Sequence, residues 1–327
     1  MKATRSLCDA ARTFPNYIAT MLQRENALSR GRFCEETFTD LLTSALVPFM
    51  GKHLQIAYPD ELATGGDIDF IFDNAKSGRQ LVVRVQAKRL NQQFEGNLSK
   101  KASASTAKSG RENKFENRRY DELLHVVKKS GDYQYETLTA DPGVVPLYAF
   151  YNHQEVVEIA RRRGLVPEIL GVNLAFADRI KPSLDKERAE LARKKRPGLK
   201  KMLHLQPWFF GLDILFCPSA KGSSVPTPER VVERLRDRWL HATKSDDDPV
   251  YTRLAMAIET EIRSVGPAMF LTDQIAVSKR LERPAIRFVS GLGDEPDDIP
   301  APEVDPEPRP VRDVPVFRPK SSPRNRD

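Results

Sequence analysis

The chain has 327 residues, of which 40% are hydrophobic and 30% charged, so it predicts a soluble globular protein of one large or two modest domains. No apolar run approaches the roughly 18–20 residues of a membrane-spanning helix, which argues against a membrane partner. A formal net charge of +7 favours a polyanionic partner, because clustered Lys and Arg release counterions from phosphates.

Residues 1–24 carry Leu7, Ala10, Ala11, Phe14, Ile18, Met21 and Leu22 at helical spacing, which predicts an amphipathic arm interrupted near Pro15. That stretch has neither the apolar core nor the small-residue cleavage site of a secretory signal, and the reading is cytoplasmic. Cys8, Cys34 and Cys217 are odd in number and far apart, so reduced thiols are expected. There is no CxxC, HxH or HExxH pattern to suggest a structural zinc.

A helix is predicted over 32–50, with Phe38, Leu41, Leu42 and Ala45 at helical spacing and Pro48 as its stop. Three strands follow at Leu54–Tyr58, Asp67–Phe72 and Leu81–Ala87, the last two joined by a turn over Asn74–Gly78. Residues 91–117 are polar, basic and poor in large apolar groups, which predicts a mobile loop. Then come a helix over Tyr120–Lys129, a strand at Val144–Tyr151 and a helix over Gln154–Arg163. This order argues for a mixed α/β sheet.

In the second half, Val172–Phe176 reads as a strand, Ser183–Arg196 as a charged helix and Trp208–Phe216 as buried. Pro228–Leu240 and Tyr251–Arg263 read as amphipathic helices. Proline and charge dominate residues 290–327, the composition of a disordered tail.

Side chains alternate between the two faces of a strand. Ile68, Phe70 and Phe72 therefore oppose Asp67 and Asp69, and Leu81, Val83, Val85 and Ala87 oppose Arg84, Gln86 and Lys88. Two adjacent strands can thus gather two carboxylates, an amide oxygen and an ammonium in one cleft. Hard oxygen donors of this kind suit Mg²⁺. A lysine beside them can position or deprotonate a water for attack on a phosphodiester.

The series Gly31…Glu35-Glu36, Gly66-Asp67-Ile68-Asp69 and Val85-Gln86-Ala87-Lys88 resembles the restriction-endonuclease-like PD-(D/E)XK superfamily, above all its Mrr-like branch with glutamine before x-Lys. It is also similar to an uncharacterised bacterial family with EETxTD, TGxD, QAKRL and PLYxFYN elements, here Glu35–Asp40, Thr64–Asp67, Gln86–Leu90 and Pro146–Asn152. The resemblance covers about the first half of the chain. It implies a restriction-endonuclease-like α/β fold and Mg²⁺- or Mn²⁺-dependent hydrolysis of nucleic acid, DNA before RNA, in defence against foreign DNA. Asp67 or Asp69 would be the principal metal ligand, Gln86 the second and the Ala87 carbonyl a third, with Lys88 orienting the water. Glu35 is preferred to Glu36 as the helix contribution, since it aligns with inward Phe38 and Leu41.

A nuclease-like domain over 25–165 and a mainly helical extension over 166–289 complete the organisation. Arg84, Arg89, Lys100, Lys101, Lys108 and Arg111 are the candidate nucleic-acid contacts. The loop that carries the last four follows Lys88 directly. The basic run Lys181–Lys201 is balanced by Asp185, Glu187 and Glu190, so it reads equally as a solvated helix. Two other classes stay open: a non-catalytic nucleic-acid-binding module, and an assembly protein whose apolar second half meets another subunit or a second copy.

Overall fold

The computed structural model describes residues 6–25, 35–49, 53–57, 68–90, 118, 120, 123–126, 131–140, 143–191, 201–218, 225–243, 263–264 and 285–291. Helices α1 (Leu7–Glu25) and α2 (Glu35–Leu46) precede strands β1 (Leu54–Ala57), β2 (Ile68–Asn74) and β3 (Arg79–Arg89). Then follow α3 (Gln134–Ala140), β4 (Val145–Tyr151), α4 (Gln154–Arg162), β5 (Val172–Phe176) and α5 (Ala177–Leu191). Two short helices, α6 (Met202–Leu205) and α7 (Asp213–Phe216), lead to α8 (Pro228–Thr243), β6 (Arg263–Ser264) and β7 (Ala285–Ser290). The predicted helix over Tyr251–Arg263 falls almost wholly outside the described residues, and its last residue begins β6. The predicted tail lies outside them beyond Gly291.

The strands form one mixed sheet in the order β1-β7-β2-β3-β4-β5, with β6 beside the first residues of β3. Pairings β2–β3 and β4–β5 are antiparallel, whereas β2–β7 and β3–β4 are parallel. The fold is α/β, with helices on both faces. Strand β7 inserts between β1 and β2, so the sheet draws on residues that the sequence reading placed in the helical extension. Strand β5 does the same at the opposite edge.

Each face of the sheet has its own apolar cluster. On one face, Phe70, Phe72, Val83, Val85, Leu147, Leu174 and Phe288 pack with residues of α1, α2, α7 and α8. Phe70 meets Phe216 edge-on at 5.0 Å between ring centroids, and Phe72 stacks on Phe288 at 4.8 Å. On the other, Tyr148, Phe150 and Ala175 pack with residues of α3, α4, α5 and α6. Burial of this size is the main force that holds the layers together.

Three expectations need correction. Helix α1 runs through Pro15 without a break, since Phe14, Ile18 and Leu22 are all buried and their packing outweighs the one N–H that proline lacks. The described part of the predicted Tyr120–Lys129 helix is not helical. Tyr120 bridges Leu90, Leu123 and Leu124 form a turn, and Val126 bridges Tyr133. Tyr120 is held there by its hydroxyl, which donates to Asn152 Oδ1 at 2.6 Å, so tertiary contacts override the local pattern. Third, Cys8 and Cys217 form a disulfide that joins α1 to the residue after α7, in place of the expected free thiols. Among the described residues no helix is long and apolar enough to cross a membrane.

Candidate active site

Strand register builds the site. Ile68 faces Val85 and Asp69 faces Arg84 across the β2–β3 ladder, while Gln86 and Lys88 sit opposite Tyr148 and Phe150 of β4. Val83, Val85 and Ala87 enter the α1–α2 side of the core. The alternation therefore sends Arg84, Gln86 and Lys88 to the other face, together with Asp69. All except Arg84 are buried, and Arg84 is only partly exposed.

The polar groups are held by specific partners. Arg84 makes a two-pronged ion pair with Asp69, Nε to Oδ1 at 3.0 Å and Nη2 to Oδ2 at 3.1 Å. Lys88 Nζ donates to Gln134 Oε1 at 3.1 Å, which ties the strand to the first residue of α3. Further along β2 on the same face, Asp73 Oδ1 accepts from Gln80 Nε2 at 2.9 Å and Asp73 Oδ2 lies 3.1 Å from Arg287 Nε. Burial raises the Asp73 carboxyl above its ordinary range, an effect that Arg287 and Gln80 partly offset. Arg287 comes from the inserted β7.

The remaining predicted residues fall elsewhere. Asp67, Lys100, Lys101, Lys108 and Arg111 lie outside the described residues. Glu35 opens α2, and its side chain is outside them too. By alternation Arg89 belongs to the face opposite Lys88; it is buried, and its charge acts on His153. His153 is itself buried, with Nε2 3.2 Å from the Leu90 carbonyl oxygen. Burial first, then the charges of Arg118 and Arg89, lower its pKa to about 4, so it is neutral at physiological pH.

Gln134 and Arg287 were not anticipated from sequence. Gln134 stands 46 residues from Lys88, and no local pattern links the two. Arg287 lies on a strand whose place in the sheet is set by parallel pairing with β2 from far along the chain.

Among the described residues no group of three or more His, Cys, Asp or Glu side chains could hold a metal ion. Asp69 and Gln86 are nevertheless hard oxygen donors of the type that Mg²⁺ takes while it keeps several waters. They fit such an ion on one condition, that Asp69 shares or gives up its tie to Arg84.

Fold and site together define a mixed-sheet α/β protein with Asp69, Gln86 and Lys88 buried, and Arg84 partly exposed, on one sheet face. The chain belongs to a family of unknown function (DUF6615), whose model matches residues 7–292. No curated protein and no solved structure shows significant similarity to it.

Proposed function

We propose that the chain is a metal-dependent nuclease of the PD-(D/E)XK type that hydrolyses phosphodiester bonds, with DNA as its substrate and Mg²⁺ or Mn²⁺ as its cofactor. The observation that carries this reading is Asp69, Gln86 and Lys88 on one face of an antiparallel strand pair, with β4 parallel to the second of the two strands. In this scheme Asp67 and Asp69 supply carboxylates, Gln86 an amide oxygen and Ala87 a main-chain carbonyl. Bound there, the metal would offset charge on the phosphate and lower the pKa of a water.

Lys88 orients that water for attack. A new P–O bond forms from water as one P–O ester bond breaks, and the proton ends on the leaving oxygen. Gln134 holds the Lys88 ammonium in place, since the strand alone fixes only the direction of its first bonds. The basic residues at 100–111 and Arg84 contact the phosphates. A role in defence against foreign DNA follows from the Mrr-like resemblance.

The engaged state of Asp69 and the neutrality of Gln86 also favour a second reading, a module that binds nucleic acid without cutting it. One experiment separates the two. Supercoiled plasmid and linear duplex are incubated with the protein with and without Mg²⁺ or Mn²⁺, beside Lys88→Ala and Asp67→Ala/Asp69→Ala. Metal-dependent cutting that both variants lose supports the nuclease. Salt-sensitive binding with no cutting under any condition replaces it with the module.

A further inference from the structure

We propose that the end of α4, the loop after it and the turn at Gln206–Trp208 form a second nucleic-acid contact surface, which takes a strand with unpaired bases beside the candidate site. The inference rests on the reading above for the class of partner alone, and needs neither the metal nor the cleavage.

The surface is built outward from β4. Tyr151 ends that strand, and Asn152 and His153 lead into α4, whose last two residues are Arg161 and Arg162. Both arginines are exposed. Arg161 meets Glu168 only at 3.9 Å, with side chains 63% and 57% exposed, so the pair is weak and a phosphate can replace the carboxylate. The chain then turns through Gly164, at φ 62°, and presents Val166 with 87% of its surface in water. Arginine in the last turn suits the helix dipole, but the dipole does not account for the valine.

Val166 is held outward from both sides. Before it, Leu165 packs on the core and its N–H donates to the Ala160 carbonyl at 3.1 Å. After it, buried amides grip the main chain. Gln206 Nε2 donates to the Pro167 carbonyl, Asn173 Nδ2 to the Glu168 carbonyl at 3.1 Å, and Asn152 Nδ2 to the Leu170 carbonyl at 2.8 Å. Asn173 Oδ1 accepts in return from the Leu170 N–H at 2.8 Å. A loop fixed in this way pays little ordering entropy when a partner covers its apolar tip.

The Gln206 contact also sets the Gln206–Trp208 turn beside the loop. Trp208 is partly exposed, and the Arg179 guanidinium lies 4.1 Å from its ring centroid. Arginine forks match phosphate oxygens, while apolar and indole side chains suit the faces of bases. A closed duplex hides those faces, so an unpaired stretch is the form that fits. One valine offers too little apolar area to anchor on a lipid surface. Position agrees as well. Phe150 stands opposite Lys88, and two residues on, about 7 Å along, the Asn152 N–H donates to the Gly171 carbonyl at the root of the loop. A strand that passes Lys88 can run on to this surface.

The test measures affinity in EDTA for a short labelled single strand and for the duplex of the same sequence, over a range of salt. Arg161→Ala/Arg162→Ala should weaken single-strand binding about tenfold and reduce the slope of log affinity against log salt by about one. Val166→Ser should weaken it about fivefold, leaving the salt slope and the duplex affinity unchanged. All three positions are at the surface, so urea midpoints should match the wild type. In the wild type, the single strand should also shield Trp208 from acrylamide quenching, and Trp239, fully buried, does not contribute to that change. Unchanged single-strand affinity in either variant, or unchanged quenching, overturns the surface and leaves the nuclease reading intact. Failure of the wild type to bind either nucleic acid overturns both. Binding to phosphatidylserine vesicles in place of nucleic acid does the same and assigns the surface to lipid.

Discussion

Lys88 on β3 and Gln134 at the start of α3 are joined by a 3.1 Å hydrogen bond, so the Lys88 side chain is fixed from the opposite side of a long connection. Gln134→Ala is expected to lower kcat for strand cleavage on the order of 10- to 100-fold, the range seen when a group that orients a functional side chain is lost. KM should change little. Gln134→Glu, which sets a carboxylate beside the ammonium, should retain the contact and move the pH–rate profile. A glutamine with a merely structural role would leave that profile in place.

His153 gives the fold a pH dependence of definite sign. Its folded pKa of about 4 lies below the ordinary 6.5, so between these values the unfolded chain binds a proton that the folded chain does not. Stability therefore rises with pH across that window and falls as pH drops through it. The contribution is about 3 kcal/mol between the two limits. Urea unfolding at pH 4.5 and 7.5, compared with His153→Gln, measures it. The wild type should lose about 2–3 kcal/mol more than the variant on acidification. An equal loss in both would show that the penalty lies elsewhere.

Gly171 lets the chain entering β5 approach α1. A Cβ built there would lie 1.7 Å from the Pro15 carbonyl oxygen and 2.8 Å from the Ala19 Cβ. Neither the helix backbone nor the strand entry can yield without moving buried side chains. Gly171→Ala is expected to destabilise by about 2–4 kcal/mol, measured by denaturant unfolding. A change under about 0.5 kcal/mol would mean that the α1 contact is not formed in solution.

How far these features were legible in the sequence varies with their range. The two faces of β2 and β3 were readable, because Ile68, Phe70 and Phe72 against Asp69, and Val83 and Val85 against Arg84 and Gln86, alternate within a few residues. The helix at Gln154–Arg162 and the strand at Val172–Phe176 were equally local. The insertion of β7 was not readable, since parallel pairing of Asp69 with Ala285 leaves no mark in either segment. Nor was Gln134, whose role depends on where α3 docks. Pro15 misled in the opposite sense: a real local signal was outweighed by burial of Phe14 and Ile18 on either side.

The Cys8–Cys217 bond closes a sequence separation of 209 residues and anchors α1. In the chain-entropy view such a loop contributes about 5 kcal/mol by restricting the unfolded chain. Reduction with excess dithiothreitol should lower the denaturant midpoint, and Cys8→Ser should reproduce the shift without reductant. Mass spectrometry after alkylation of the unfolded, unreduced protein should label Cys34 alone. Three labelled cysteines would contradict the pairing.

Single-turnover cleavage of an end-labelled duplex in Mg²⁺ tests most directly whether the face of Asp69, Gln86 and Lys88 cuts nucleic acid. With enzyme in excess over DNA, the wild type should release cut strands. Lys88→Met should do so at least about 100-fold more slowly, with duplex affinity unchanged, because the lysine acts on the water rather than on binding. No cleavage by the wild type in Mg²⁺ or Mn²⁺, or equal cleavage by Lys88→Met, would contradict the account.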